Sequence, residues 1–390
     1  ATAIFAAFLL IVLGGLQPKD VFAQYFDPVI VLLLGGFVIA VAIAKTGLDE
    51  YIAYRILSKV GTKPKMVILG LMLTTAFISM WISNSAAAAI IMPIALVILV
   101  KNRAKPGKSN FGKASVLAVA YGATIGGIGT IIGSTPNVMA AKFIHSAGLS
   151  FNFYDWFYRG FPFMLVFMLL GWAVLVNLYK PEKTRIETVK KISKMTKEQK
   201  IVVAVFALTI LLWATESLHG IESSVVSLVP IILYYFLGIL STNDFVKVDW
   251  PTLMLLGGGL ALGFGIHSAG LDLYFASLIS HAVIGSNIFM LFLVLGVFGA
   301  LLTLFISNTT SAAIYLPIVV ALASAFGANF TNTVVVAAVA VSLDFTFPFG
   351  TPPTAIAYAT KYVNTKDIAK AGFIITVIGI LLLAVMGTLW

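Results

Sequence analysis

Two short polar phrases interrupt otherwise apolar sequence: residues 83–95 read SNSAAAAIIMPIA and residues 307–319 read SNTTSAAIYLPIV. Ser83, Asn84 and Ser85, like Ser307, Asn308 and Thr309, offer hydroxyls and carboxamides without a formal charge. Groups of this kind cap helices and hold ions. Ser and Asn are good N-caps, the free amides and dipole of the helix that follows favour an anion, and carbonyls exposed where the preceding helix ends can hold a cation. Two further phrases, GIGTIIGSTPN (127–137) and FPFGTPP (347–353), predict breaks in their own helices. Proline has no amide donor and biases its predecessor away from helix, so a second half-helix is expected to begin near Pro136, its amides aimed at the break. Ser79 and Thr303 each precede a tip by four residues, which puts their hydroxyls on the same helix face as the tips. Taken singly, each feature has a plainer explanation: hydroxyls and amides act as interhelical glue at roughly 1 kcal/mol each, and Gly and Pro mark kinks. Their recurrence, in order, argues for a common purpose.

The elements that must position these residues lie in a membrane. Of 390 residues, 60% are hydrophobic and 10% charged, with a mean hydropathy of +1.03, whereas about a quarter of a soluble domain is charged. The chain is read as an all-α polytopic protein of the inner or plasma membrane. It has no cysteine and four scattered histidines, which excludes disulfides and thiolate metal sites and argues against a multi-histidine centre. Its net charge of +10 falls in basic loops between apolar spans, where the positive-inside rule explains it without a nucleic-acid partner. No HExxH, paired carboxylates or nucleophile with a nearby base is visible, so no enzyme is expected. The opening ATAIFAAFLL lacks the charged start of a signal peptide, and an earlier span is expected to precede it.

Apolar stretches of about 20 residues, enough to cross a bilayer, occur near 1–16, 27–46, 156–179, 201–217, 222–240, 252–269 and 367–390. The stretches 114–145 and 333–363 are interrupted by the two breaks, and 66–100 and 287–326 carry the tips at their centres. Lys and Arg flank 66–100 on both sides and are absent from the flanks of 287–326, so each is expected to be a re-entrant hairpin, one entering from each side. The basic loops around 55–65, 101–113 and 180–200 are then cytoplasmic, and threading the spans leaves only Lys19, Lys142 and Arg159 outside. The order repeats: LGGFVIAVAIAKTGLD (34–49) matches GGGLALGFGIHSAGLD (257–272), Ser83 matches Ser307, and IGSTPN (132–137) matches FGTPPT (349–354). The two halves have opposite topology, as in inverted-repeat secondary transporters with a site near the midplane. Non-helical backbone at that depth needs a cavity to line, so two tips and two breaks imply one shared polar cavity. The stretches 48–60 and 271–283 are amphipathic and read as interfacial or ordinary loop helices.

Two SN(S/T) tips, each followed by a G-(S/T)-x-P break, resemble the divalent anion/sodium symporter (DASS) family, within the ion transporter superfamily, over essentially the whole chain. The resemblance implies an elevator-type homodimer carrying a small dianion with sodium as coupling ion and no other cofactor. Residues 1–60 and 201–285 would form the scaffold, 61–179 and 286–390 the moving transport domain, and 180–200 the linker. It implies Asn84, Ser85, Ser134, Asn308, Thr309, Thr351 and Pro352 at the substrate, and Ser79, Ser83, Asn84, Gly133, Thr303, Ser307, Asn308 and Gly350 at sodium. The sequence departs from the family at three places: Ser85 for the usual Thr, Thr135 and Thr354 within the breaks, and Asp344, where a small neutral residue is common. An intramembrane carboxylate is a functional hypothesis by default; Asp344 is read as a proton-coupling group, an extra cation ligand, or a buried carboxyl paired with a hydroxyl. With no Lys or Arg in tips or breaks, a dianion would have to be neutralised by dipoles and co-bound cations. The leading expectation is sodium symport of succinate, fumarate or malate. Proton-coupled or exchange transport of dicarboxylate, citrate or sulfate, sodium/proton antiport through Asp344, and a channel remain alternatives.

Overall fold

The computed structural model describes residues 1–187, 194–271, 274, 287–326 and 329–390, and among them the regular structure is entirely helical. Most of the stretch 271–283, and Lys190 and Lys191 of the linker, lie outside the described residues. Among the described residues, five helical runs are long and apolar enough to cross a membrane: Pro18–Thr46, Asn84–Lys101, Phe153–Leu178, Trp250–Ser268 and Thr365–Leu389.

The chain begins with α1 (Thr2–Val12), α2 (Pro18–Ala23) and α3 (Pro28–Thr46). Asp27 caps α3 by accepting from the Val29 amide at 3.1 Å, with Pro28 in the first turn, where a missing donor costs nothing. Gly47, with φ of 63°, ends it in the left-handed conformation and turns the chain into α4 (Leu48–Lys59). The stretch 48–60 is thus a helix, packed on the hairpin that follows.

That hairpin is α5 (Pro64–Ser79) and α6 (Asn84–Lys101). Sixteen residues of α5 reach about 24 Å at 1.5 Å per residue, short of the ~30 Å hydrocarbon core, and the chain reverses at residues 80–83. Ser83 accepts from the Ala86 amide at 3.3 Å and starts α6. After α7 (Asn110–Gly126) the backbone leaves the α-helix for residues 127–134 and resumes as α8 (Thr135–Ser146). This break is wider than the Gly133–Pro136 run alone, because Gly127, Gly129 and Gly133, with Thr130, precede that proline within it. The first half closes with α9 (Phe153–Leu178), capped by a reciprocal Asn152–Asp155 box.

The second half opens with α10 (Lys197–Ala214) and the short α11 (Glu216–His219). The expected span 222–240 is two consecutive helices, α12 (Ser223–Val226) and α13 (Leu228–Phe236), joined at Ser227, whose hydroxyl bonds back to the Ser223 carbonyl at 2.7 Å. After α14 (Thr242–Phe245) and α15 (Trp250–Ser268), the second hairpin is α16 (Ile288–Thr303) and α17 (Asn308–Phe326). Its broken helix is α18 (Phe330–Ala340), residues 341–351, and α19 (Pro352–Ala359). The last helix, α20 (Thr365–Leu389), starts with an Asn364–Asp367 box like that of α9.

Packing follows the same order in each half. Each hairpin lies against the first part of its own broken helix, α5 and α6 on α7, α16 and α17 on α18. Each second half-helix crosses to the other half, α8 on α17 and α18, α19 on α6 and α7. The early helices also interlock: α1 packs on α15, while α12 and α13 pack on α3. Helices α7 and α18 are buried on nearly every side. A helix apolar on every side is a buried one, and Ala and Val recur in both, with Gly in α7.

Candidate functional site: one cavity between two tips and two breaks

The crossing of α8 and α19 brings the four phrases to one place. A cavity of about 320 Å³ is lined by Ser83, Asn84 and Ser85 of the first tip and Ser307, Asn308 and Thr309 of the second. Gly133, Ser134 and Thr135 of the first break and Gly350, Thr351 and Pro352 of the second complete its polar wall. Leu33 and Phe37 of α3 and Thr252 and Leu255 of α15 close the opposite side. Among the described residues, no Lys, Arg, Asp or Glu lines it. A volume of this size suits a small molecule held by a few convergent polar groups.

Ser79 and Thr303 lie outside the lining, one turn beneath the tips. Ser79 Oγ is 2.7 Å from Asn84 Oδ1 and 2.7 Å from the Ala123 carbonyl. One hydroxyl hydrogen serves one acceptor, so an oxygen at this point stays available to a cation. Thr303 Oγ1 donates to Asn308 Oδ1 at 2.7 Å in the same way. Each tip carboxamide is therefore oriented by a hydroxyl from its own hairpin.

The break loops are closed differently. Asn137 Nδ2 donates to the Gly127 and Thr130 carbonyls, both at 2.8 Å, and leaves its own Oδ1 buried without a partner. Thr130 donates to the Met80 carbonyl, tying this loop to the first hairpin's turn. Asn84 Oδ1 lies so close to Gly127 that no side chain fits there. In the second break Thr354 Oγ1 donates to the Thr351 carbonyl at 2.7 Å and lies near the Thr351 amide at 3.3 Å. Across the cavity the hydroxyls of Thr135 and Thr309 meet at 2.5 Å.

Asp344 stands behind this wall, with no exposed surface. Its carboxylate abuts the Cα of Gly350, so closely that a Cβ at that glycine would overlap it. Apart from Ser79, Thr303 and Asp344, every expected site residue lines the cavity. Sequence reasoning missed Thr135 as a contact, Thr130 and Asn137 as loop fasteners, and Leu33, Phe37, Thr252 and Leu255 as the far wall. Thr135 and Asn137 stood within the GSTPN phrase already singled out, while Thr252 and Leu255 carried no signal.

A second cavity of about 410 Å³ shares Phe37 and Ser83 with the first and reaches Lys45, Lys247 and Asp249. Near its mouth Asp244 accepts from Lys45 at 2.7 Å and from Lys247 at 2.8 Å. Lys247, Lys45 and Ser241 hold the Asp244 carboxyl well below the usual carboxylate range, so it stays ionised.

A membrane-embedded helical body with reversed hairpins, broken helices and one neutral polar cavity defines a transporter class of fold. The solved structure of the YdaH transporter of Alcanivorax borkumensis superposes on it with a TM-score of 0.62 at 13% identity, over 95% of this chain and 87% of that one. MtrF of Neisseria gonorrhoeae, described as one of a class of antimetabolite efflux pumps, gives 0.65 at 14% identity, over 98% and 85%. These likenesses concern the fold. The profile of the family described as "Sodium:sulfate symporter transmembrane region" matches residues 1–390, and the chain belongs to that family, the divalent anion/sodium symporters that its paired motifs resemble. The sodium-dependent dicarboxylate transporter SdcS of Staphylococcus saprophyticus is 32% identical over 420 residues, covering 99% of this chain and 81% of that protein. An uncharacterized transporter of Haemophilus influenzae is 30% identical, covering 99% and 86%. The chain is an integral membrane transporter and not an enzyme.

Proposed function

We propose that this chain is a sodium-coupled carrier of small dicarboxylates of the succinate, fumarate and malate class. The observation that carries the proposal is the convergence of both tips and both breaks on one cavity lined by neutral donors. Two carboxylates of a four-carbon dianion suit two half-sites, one built on Asn84, Ser85 and Thr351, with Pro352 beside them, the other on Asn308, Thr309 and Ser134. Hydroxyls, amides and helix dipoles stabilise each carboxylate. They do not cancel two full charges in a site remote from water, and co-bound cations supply the rest.

The oxygen-rich positions behind each tip suit a hard monovalent ion: Ser79, Ser83, Asn84 and Gly133 in the first half, Thr303, Ser307, Asn308 and Gly350 in the second. Relatives described as sodium-dependent dicarboxylate transporters support this choice of ion and substrate. Movement follows from the division of the chain. Residues 61–179 and 286–390 form a transport body of opposite topology in its two halves, which slides as an elevator against a scaffold of 1–60 and 201–285 in a homodimer. The cavity that links Ser83 to Lys45 and Lys247 supports an inward-facing arrangement, since those lysines lie on the side assigned to the cytoplasm.

Proteoliposomes containing the protein are expected to accumulate labelled succinate against its gradient when sodium is high outside. Uptake indifferent to sodium would reject the coupling. Competition by sulfate or citrate stronger than by fumarate and malate would reject the substrate class.

A further inference from the structure

We infer that the Asp344 carboxylate is a ligand of the second-half cation site, which makes the two cation sites chemically unequal: a neutral one behind Asn84 and a negatively charged one behind Asn308. The inference deepens the cation-coupled reading of the cavity and rests on it.

The two break loops align residue by residue. IGSTPN at 132–137 corresponds to FGTPPT at 349–354, a shift of 217 that pairs Gly133 with Gly350 and Gly127 with Asp344. In the first half, Gly127 is hemmed in by Asn84 Oδ1 and by the backbone of Gly133, with no room for a side chain. The pocket behind that tip is built of neutral oxygens: Ser79 Oγ, Asn84 Oδ1 and the Ala123 carbonyl, with Asn137 holding the Gly127 carbonyl. In the second half the same position carries a carboxylate pressed on Gly350, the counterpart of Gly133 and a residue that lines the cavity.

That carboxylate has no partner. Both oxygens are buried and neither completes a hydrogen bond; the Thr346 amide acts on the group without closing one of good geometry. Among the described residues no Lys, Arg or His pairs with it. The alternative role for a buried carboxyl, donation to a nearby hydroxyl, is not what the geometry provides: Thr351 and Thr354 bond to each other and to backbone. An unpaired buried carboxylate is strongly unfavourable, whereas a cation with further oxygen ligands relieves it. The oxygens at hand are the carboxylate itself and the Gly350 backbone; the register of the repeats adds Asn308 Oδ1, the counterpart of Asn84 Oδ1 and already oriented by Thr303. Sodium takes such hard oxygen donors.

The extra charge also imposes an order. Without its cation an ionised Asp344 lies directly behind the wall that receives one substrate carboxylate and repels a dianion, and a protonated Asp344 offers that dianion no counter-charge. With the cation seated, the same wall becomes attractive. Sodium at the second site must therefore precede the substrate.

The test uses the full-length protein in proteoliposomes and in detergent, with 22Na binding and labelled succinate binding as separate readouts. Asp344→Asn preserves shape and removes the charge; Asp344→Gly restores the residue of the first half and serves if the Asn variant is not monodisperse. The expected result is a rise of about tenfold or more in the sodium concentration for half-maximal 22Na binding at one of two classes of site, the size of effect that follows from removing a buried charge partner. Sodium-free succinate binding is expected to be absent in the native protein and to become detectable in these variants. Ser79→Ala should weaken the other class of site and leave the sodium-free binding absent. Unchanged sodium binding in both folded Asp344 variants would overturn the inference and identify the group as a structural uncharged carboxyl. Failure of the wider reading looks different: native protein that neither binds 22Na nor takes up succinate with sodium, in which case Asp344 has no cation to hold and both proposals fall.

Discussion

The two halves place the same phrases around one cavity, yet one half is sealed and the other is open. Met80, Trp81 and Ile82 at the first hairpin's turn are buried, with the Trp81 ring edge-on to Phe206 at 4.8 Å and stacked on Phe153 at 6.3 Å. Thr130 fastens that turn to its break loop. At the second turn Phe305 is 81% exposed, and Phe349 of the neighbouring loop 75%. By the register of the repeats Phe347 stands where Thr130 stands, so the fastener has no counterpart there, and Phe347 stacks on Phe349 instead at 5.2 Å. The open half is also the half that holds Asp344. The same polar tips thus occur in a first half whose turn is buried and fastened, and in a second whose turn is exposed and whose break carries a carboxylate.

The largest expected effects test whether both halves are needed at all. Asn84→Ala and Asn308→Ala each remove a carboxamide that a hairpin hydroxyl orients from beneath, and each should reduce sodium-driven succinate uptake to background. If one variant keeps most of its uptake, the two-half-site reading breaks.

Next in size is the difference in fastening. Thr130→Val leaves the Met80 carbonyl buried without its donor, a loss of about 1–3 kcal/mol, and should lower the unfolding temperature in detergent clearly. Phe347→Leu in the other half removes no hydrogen bond and should lower it far less. Equal losses would mean that the second turn is held by contacts other than those described.

A smaller effect is expected at the one hydroxyl contact that spans the cavity. Thr309→Val breaks the Thr135–Thr309 pair and removes a donor from one substrate carboxylate, so the KM for succinate should rise about five- to tenfold at saturating sodium, as for one lost hydrogen bond of ordinary net strength. Thr135→Val should give a smaller rise, because it breaks the pair and leaves Thr309 free to face the substrate. The reverse ranking would make Thr135 the direct contact.

The smallest expected change is Ser85→Thr, which makes the two tips alike. It adds one methyl group to the lining and should shift the ratio of KM values for succinate and the longer dicarboxylates by only about two- to fivefold, since one methylene in a pocket discriminates weakly. A larger shift would show that the first half-site sets substrate length.

Much of this was readable in the residues. The tips became helix starts because Ser83 accepts from an amide three residues on, a local rule. The breaks fell at Pro136 and Pro352–Pro353 because proline donates nothing. Both broken helices ended earlier than the proline phrases alone indicate, at Gly126 and Ala340; in the first, a run of glycines weakens the ladder. The span 222–240 split at Ser227, where a hydroxyl competing for the backbone outweighed an apolar pattern that spoke for one continuous helix.

By itself the sequence determined that this chain lies in a membrane, that it carries two polar tips and two proline breaks in matching order, and that its site holds no basic side chain. Each of these depends on composition or on interactions within a few residues. Tertiary structure alone decided that Thr135 meets Thr309 across 174 positions of chain, that α3 and α15 supply the apolar wall, and that Asp344 stands unpaired against Gly350. Those outcomes depend on how helices from opposite halves cross. A burial cost or an unmet oxygen exists only once the neighbours that exclude water are in place.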